Sequence, residues 1–128
     1  MNYNVEIIQL SGILDEAQGQ RLRCLVDEII EAGNRTVLLD CAAVDFMDSA
    51  GLGSLVAVLK QLRAKGGHLA LCGTNDQVKM LFELTNMNKL FDIFASPEVF
   101  YQFILRKVIE QSRVSAWDKR TALSVGRR

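Results

Sequence analysis

Ser49 is the residue with chemistry to offer. In VDFMDSAGLG, residues 44–53, its hydroxyl follows Asp48 and precedes Ala50, with glycines at 51 and 53. A serine at a helix start has two uses. As a cap it accepts a bond from a first-turn amide, stabilising the helix by about 1 kcal/mol. As a phosphoacceptor it gains from the same free amides, which favour added negative charge. Gly51 and Gly53 let those amides approach closely, and Ala50 leaves the surroundings uncrowded.

Other chemistries fit less well. A nucleophile elbow needs G-x-S-x-G, but Met47 stands where the first glycine belongs. The single histidine, His68, follows a double glycine and reads as a strand-start residue rather than a catalytic base. Gly51-Leu52-Gly53 opens like a dinucleotide loop, yet Val56 replaces its last glycine and no G-K-[ST] occurs. Asp40, Asp45 and Asp48 resemble an acidic pocket for a metal or an aspartyl phosphate, but no His, Cys or well-placed Lys completes it. They read instead as loop-amide acceptors and a helix cap. No catalytic residue, metal or cofactor is therefore expected, and Cys41 in the same stretch reads as an inert buried thiol.

The elements that must position Ser49 follow from periodicity. Val5, Ile7, Ile8 and Leu10 mark a first strand, broken by Gly12. Leu22, Leu25, Val26, Ile29 and Ile30 repeat at helical spacing until Gly33-Asn34. TVLLD predicts a short strand buried on both faces, followed by a loop over 40–49. Leu52, Leu55, Val56, Leu59 and Leu62 then form a helical stripe facing the sheet. That leaves Ser54, Ala57, Val58 and Gln61 on other faces, with Val58 suited to docking. HLALC repeats the buried-strand signature, Val78, Leu81 and Phe82 mark a third helix, and LFDIF a further strand. Ser96-Pro97-Glu98 starts a last helix whose inner face is Phe100, Phe103, Ile104 and Val108. Beyond residue 110 the periodicity fades, so 1–109 reads as one domain and 110–128 as a basic C-terminal tail or extension carrying Trp117. Alternating strands and helices imply an α/β domain with a mostly parallel or mixed sheet of four to five strands and about four helices. Sites in such sheets gather at the carboxyl ends of strands.

Composition narrows the class. With 128 residues, 49% of them hydrophobic, the chain can bury a core without disulfide or metal. Cys24, Cys41 and Cys72 form no C-x-x-C pair and read as buried thiols of a reducing cytoplasm. No run is long and apolar enough for a bilayer, and no secretory start is present, so a cytoplasmic protein without membrane contact is expected. Residues 1–105 hold 8 Lys/Arg against 13 Asp/Glu, whereas 106–128 hold 7 against 2. Such an acidic body is a poor nucleic-acid binder.

LSGILD with VLLD, VDFMDSAGLGSLVAVLKQLRAKGGHLALCG, VKMLFELTNMNKLFDIF and the late SPEVF together resemble an anti-sigma factor antagonist of the STAS fold, over residues 4–109. The resemblance implies that Ser49 is phosphorylated by an anti-sigma factor that is also a serine kinase. It further implies that the unphosphorylated form binds that factor, and that a serine phosphatase restores it. The expected partner-binding set is Asp48, Ser49, Ala50, Gly51, Gly53, Ser54 and Val58. Two other readings compete: a STAS adaptor module in a stress-signalling or lipid-transport complex, and a small-ligand or nucleotide sensor using the strand-end pocket. The family often has an extra edge strand before the first strand seen here, and residues 110–128 exceed its usual end.

Overall fold

Val37, Leu38 and Leu39 are consecutive and all fully buried, which a strand covered on both faces allows. They belong to the second strand of a four-stranded sheet in the computed structural model, which describes residues 4–123, with side-chain surroundings for 4–110. The chain order is β1 (Val5–Leu14), α1 (Glu16–Glu31), β2 (Thr36–Met47), α2 (Ser49–Ala64), β3 (His68–Cys72), α3 (Asp76–Leu84), a short 3-10 turn Met87–Lys89, β4 (Asp92–Phe94) and α4 (Pro97–Leu123). The strands lie in the order β1-β2-β3-β4, and every neighbouring pair is parallel. This is the α/β domain expected, with four strands and four α-helices among the described residues.

One face carries Val37, Leu39 and Cys41 of β2 with Leu69 and Leu71 of β3. They pack against Leu22, Val26 and Ile29 of α1, the apolar stripe of α2, and Val78 and Phe82 of α3. The other face carries Leu38, Ala70 and Cys72, covered by Phe100 of α4. Cys41 and Cys72 are buried as expected, and burial is the main cause that pushes their thiols up to about 12 and about 11. Cys24 on α1 is exposed, contrary to the expectation for all three thiols.

The sheet departs from expectation where it matters most for Ser49. Neither strand stops early: β1 runs past Gly12, which sits within it at φ 72°, and β2 continues to Met47. The expected 40–49 loop is therefore mostly strand. Along this extension β2 advances faster than β1, because Gln9 pairs with Asp40 but Ser11 with Ala43, and Gly12 with Val44 but Ile13 with Phe46. Each slip is a bulge with one extra residue on β2. Asp40 Oδ1 stabilises the first by accepting the Ala42 N–H at 3.0 Å. The two bulges turn the ordinary alternation into a three-residue spacing, so that Cys41, Val44 and Met47 are the buried positions.

The last helix starts as read, with the Val99 N–H donating to Ser96 Oγ at 3.3 Å. Its inner face is narrower than expected: Phe100 is buried and Ile104 and Val108 partly so, while Phe103 is exposed, its ring 5.4 Å from that of Phe94. α4 passes residue 110 as continuous helix, and Trp117 lies where side chains are outside the described surroundings.

Candidate functional site at the head of the second helix

The end of β2 is held from two sides. Gln77 accepts the Met47 N–H at 2.9 Å and returns its own amide to the Met47 carbonyl at 2.8 Å. The Asn75 side chain donates to the carbonyls of Val44 and Asp45, both at 3.1 Å. Asp48 follows in extended conformation, its N–H donating to the Leu14 carbonyl at 3.2 Å. Its carboxylate accepts the Gly51 N–H at 2.8 Å. Asp48 is therefore the cap of α2, as read from the sequence, and that use is closed to Ser49. Ser49 is the first helical residue, exposed, and its hydroxyl has no hydrogen-bond partner among the described residues. The backbone places this side chain at the head of α2, and the hydroxyl itself is open to solvent.

The glycines that follow differ. A Cβ at Gly51 would collide with the Leu14 carbonyl oxygen, whereas one at Gly53 would meet open space. Gly51 is thus required by the close approach of β1 to the helix head, and it is buried. Gly51→Ala should cost about 2 kcal/mol through this collision. Gly53→Ala should stabilise by about 0.5–1 kcal/mol, because alanine favours helix over glycine. Chemical denaturation of the two variants checks both signs.

Two of the expected docking residues are elsewhere. Val58 is 0% exposed and belongs to the core, and Ser54 is 8% exposed. The reason is that α2 packs on α1 as well as on the sheet, so two of its flanks are covered rather than one. Ser54 lies against Gly19 of α1, where a Cβ on residue 19 would strike its side chain. Gln61 is also engaged, its amide donating to Asp27 Oδ1 at 2.6 Å and to the Arg23 carbonyl at 3.3 Å. Of the expected set, the structure leaves Ser49, Ala50 and Gly53 exposed and Asp48 half-buried, and buries Gly51, Ser54 and Val58.

Sequence reading missed two residues beside the site. Ile13 and Phe46 are register partners on β1 and β2, exposed at 55% and 45%. They point away from the buried pair Leu14 and Met47, toward solvent. The available signal was an apolar Phe46 between Asp45 and Asp48. The charge around them is one-sided: Asp40, Asp45 and Asp48 occur here, and no Lys or Arg lies between Arg35 and Lys60. Among the described residues no group of three His, Cys, Asp or Glu gathers to hold a metal ion, and no helix is long and apolar enough to cross a membrane. His68 stands exposed at the start of β3. A surface cavity of about 580 Å³ opens between α1 and α2, lined by residues such as Asp27, Arg35, Gln61 and Lys65. Arg35 and Lys65 place it toward the strand starts, away from Ser49.

Together these features define a small parallel α/β domain that presents an uncapped serine hydroxyl where a bulged strand feeds a helix. The chain belongs to the STAS domain family, whose model matches residues 2–99. The anti-sigma F factor antagonist of Paenibacillus polymyxa is 33% identical over 91 residues, covering 70% of this chain and 78% of that protein. In the solved structures, a sulfate transporter family protein from Wolinella succinogenes shares the fold with a TM-score of 0.70 at 20% identity, covering 80% of this chain and 88% of that one. The Bacillus cell fate determinant SpoIIAA, solved in a phosphorylated form, has a TM-score of 0.60 at 21% identity, covering 77% of this chain and 90% of that one.

Proposed function

We propose that this chain is an anti-sigma factor antagonist, a binding protein rather than an enzyme, switched by phosphorylation of Ser49. The observation that carries the reading is the exposed Ser49 hydroxyl, relieved of capping by Asp48 at the start of α2. The kinship with an anti-sigma F factor antagonist supports the class of partner. In the unmodified state the surface around Ser49, with Ala50, Gly53 and the apolar pair Ile13 and Phe46, docks an anti-sigma factor that is also a serine kinase. Asp48 and Gly51 contribute by shaping the helix head, and Ser54 and Val58 have no place in the contact.

Transfer of the γ-phosphoryl group of ATP to Ser49 forms a phosphate ester, releases ADP and frees the hydroxyl proton. The product carries about −1.5 to −2 additional charge. First-turn amides limit the cost to the fold, while Asp48 and Asp45 add to the negative field facing the partner. A serine phosphatase hydrolyses the ester and restores binding. Incubating the protein with the serine kinase that co-purifies with it and ATP, then mapping the product by mass spectrometry, should place one phosphate on Ser49. Modification at another residue overturns the proposal. A transporter in place of a kinase among the co-purifying proteins would favour an adaptor role.

A further inference from the structure

The layer between α4 and the sheet is closed at one end and open at the other. Phe100 seals it over Leu38, Ala70 and Cys72. One and two turns further along α4, Ile104 and Lys107 share the face of Phe100, at helical spacing. Strand alternation puts His68 and Asp92 on the α4 side as well, two residues before Ala70 and Phe94. Where these sets meet, at the starts of β2, β3 and β4, they line a cavity of about 300 Å³. Its floor is low because Ala70 is the smallest residue of its row, between Leu38 and Asp92. Its walls are aromatic: the Phe94 ring stands 5.4 Å from that of Phe100 and 5.4 Å from that of Phe103.

Polar groups ring the opening. Thr36 and His68 are register partners on β2 and β3, and Asp92 begins β4. Lys107 is held over the Phe103 ring, its Nζ 5.2 Å from the centroid. Among the described residues, none of these four polar side chains hydrogen-bonds or forms an ion pair with another protein group. Asp92 and Lys107 thus bring one charge of each sign to the same cavity without neutralising each other.

We propose that this cavity binds a free aromatic α-amino acid. The ring lies on Ala70 among the phenylalanines, the ammonium is turned to Asp92 and the carboxylate to Lys107. A dry apolar cavity of about 150 Å³ takes one benzene ring, so about twice that volume takes a ring and a short charged tail. Phenylalanine rings favour edge and offset contacts with a further ring. The charges select among aromatic compounds. An aryl acid would set its carboxylate against Asp92 and an aryl amine its ammonium against Lys107, whereas the zwitterion pairs with both. The cavity lies on the opposite face of the sheet from α2, so the proposal stands or falls independently of Ser49.

Titration of the full chain with L-phenylalanine, L-tyrosine and L-tryptophan, followed by amide NMR, tests this. At least one should bind saturably with a Kd below about 1 mM, shifting amides at the starts of β2 to β4 and in residues 100–107. For L-phenylalanine, 3-phenylpropionate lacks the ammonium and phenethylamine the carboxylate; the matching deaminated and decarboxylated compounds serve for the other two. Each should bind at least about tenfold more weakly than its parent. Asp92→Asn and Lys107→Gln, both at exposed positions, should each weaken the amino acid by at least about tenfold. Ala70→Leu, which fills the floor, should abolish binding; if circular dichroism shows that it misfolds, the two rim variants carry the test. Absence of saturable binding by all three amino acids overturns the proposal. So do shifts confined to another surface, equal affinity for a parent and either truncated compound, or indifference to either rim charge.

Discussion

Ser49→Asp should weaken binding to the anti-sigma partner by at least about tenfold, and full phosphorylation by about 150-fold, the factor that about 3 kcal/mol produces. Ser49→Ala should bind as well as the unmodified chain. The asymmetry follows from the site. Ser49 caps nothing, so its hydroxyl can be removed without cost to the helix, which Asp48 holds through the Gly51 amide. A carboxylate at 49 adds charge beside Asp48 on a surface that must be desolvated in the contact, and an unpaired charge there is expensive. Titration calorimetry of the three proteins against the partner measures both halves. Equal affinity for Ala and Asp variants would show that charge at position 49 is not what the partner senses.

Val58→Asp should abolish folding, not docking. Val58 has no exposed surface and sits among the core side chains of α2, the sheet and α1. An unpaired carboxylate there costs about 4 kcal/mol or more, a large share of the about 5–15 kcal/mol that holds a domain of this size. Thermal melting should show a lost or severely lowered transition. By contrast, Phe46→Ser removes an exposed ring, so its melting temperature should change little. A Val58→Asp protein that melts normally while losing its partner would return residue 58 to the interface.

These two residues mark how far the sequence could be read. The alternation of strands and helices, the caps at Asp48 and Ser96, and the exposed Ser49 were legible because each depends on local chemistry: short-range periodicity, an acid three residues before a free amide, a proline at a helix start. The fate of Val58 was not. Helical spacing gives the width of an apolar stripe, and α2 reads as a helix with one covered side. It lies against α1 as well, and that contact depends on Gly19, distant in sequence and without a side chain to signal it. The length of β2 was hidden for a related reason. Its two bulges space the buried Cys41, Val44 and Met47 three apart, a pattern that matches neither strand nor helix, and the intervening polar residues then look like a loop. Ile13 and Phe46 escaped with it, since their exposure makes sense only once both strands are seen to continue.

The clamping of α2 between α1 and the sheet has a consequence for hydrogen exchange. With Leu55, Val58 and Leu62 wholly enclosed, the middle turns of this helix can surrender their amide protons to heavy water only when the surrounding layers separate. Phosphorylation at its first residue should leave those exchange rates where they were as long as the stability of the whole domain is unchanged. Under the proposed switch, a change at Ser49 would therefore be read on the outside of the molecule, without opening its interior.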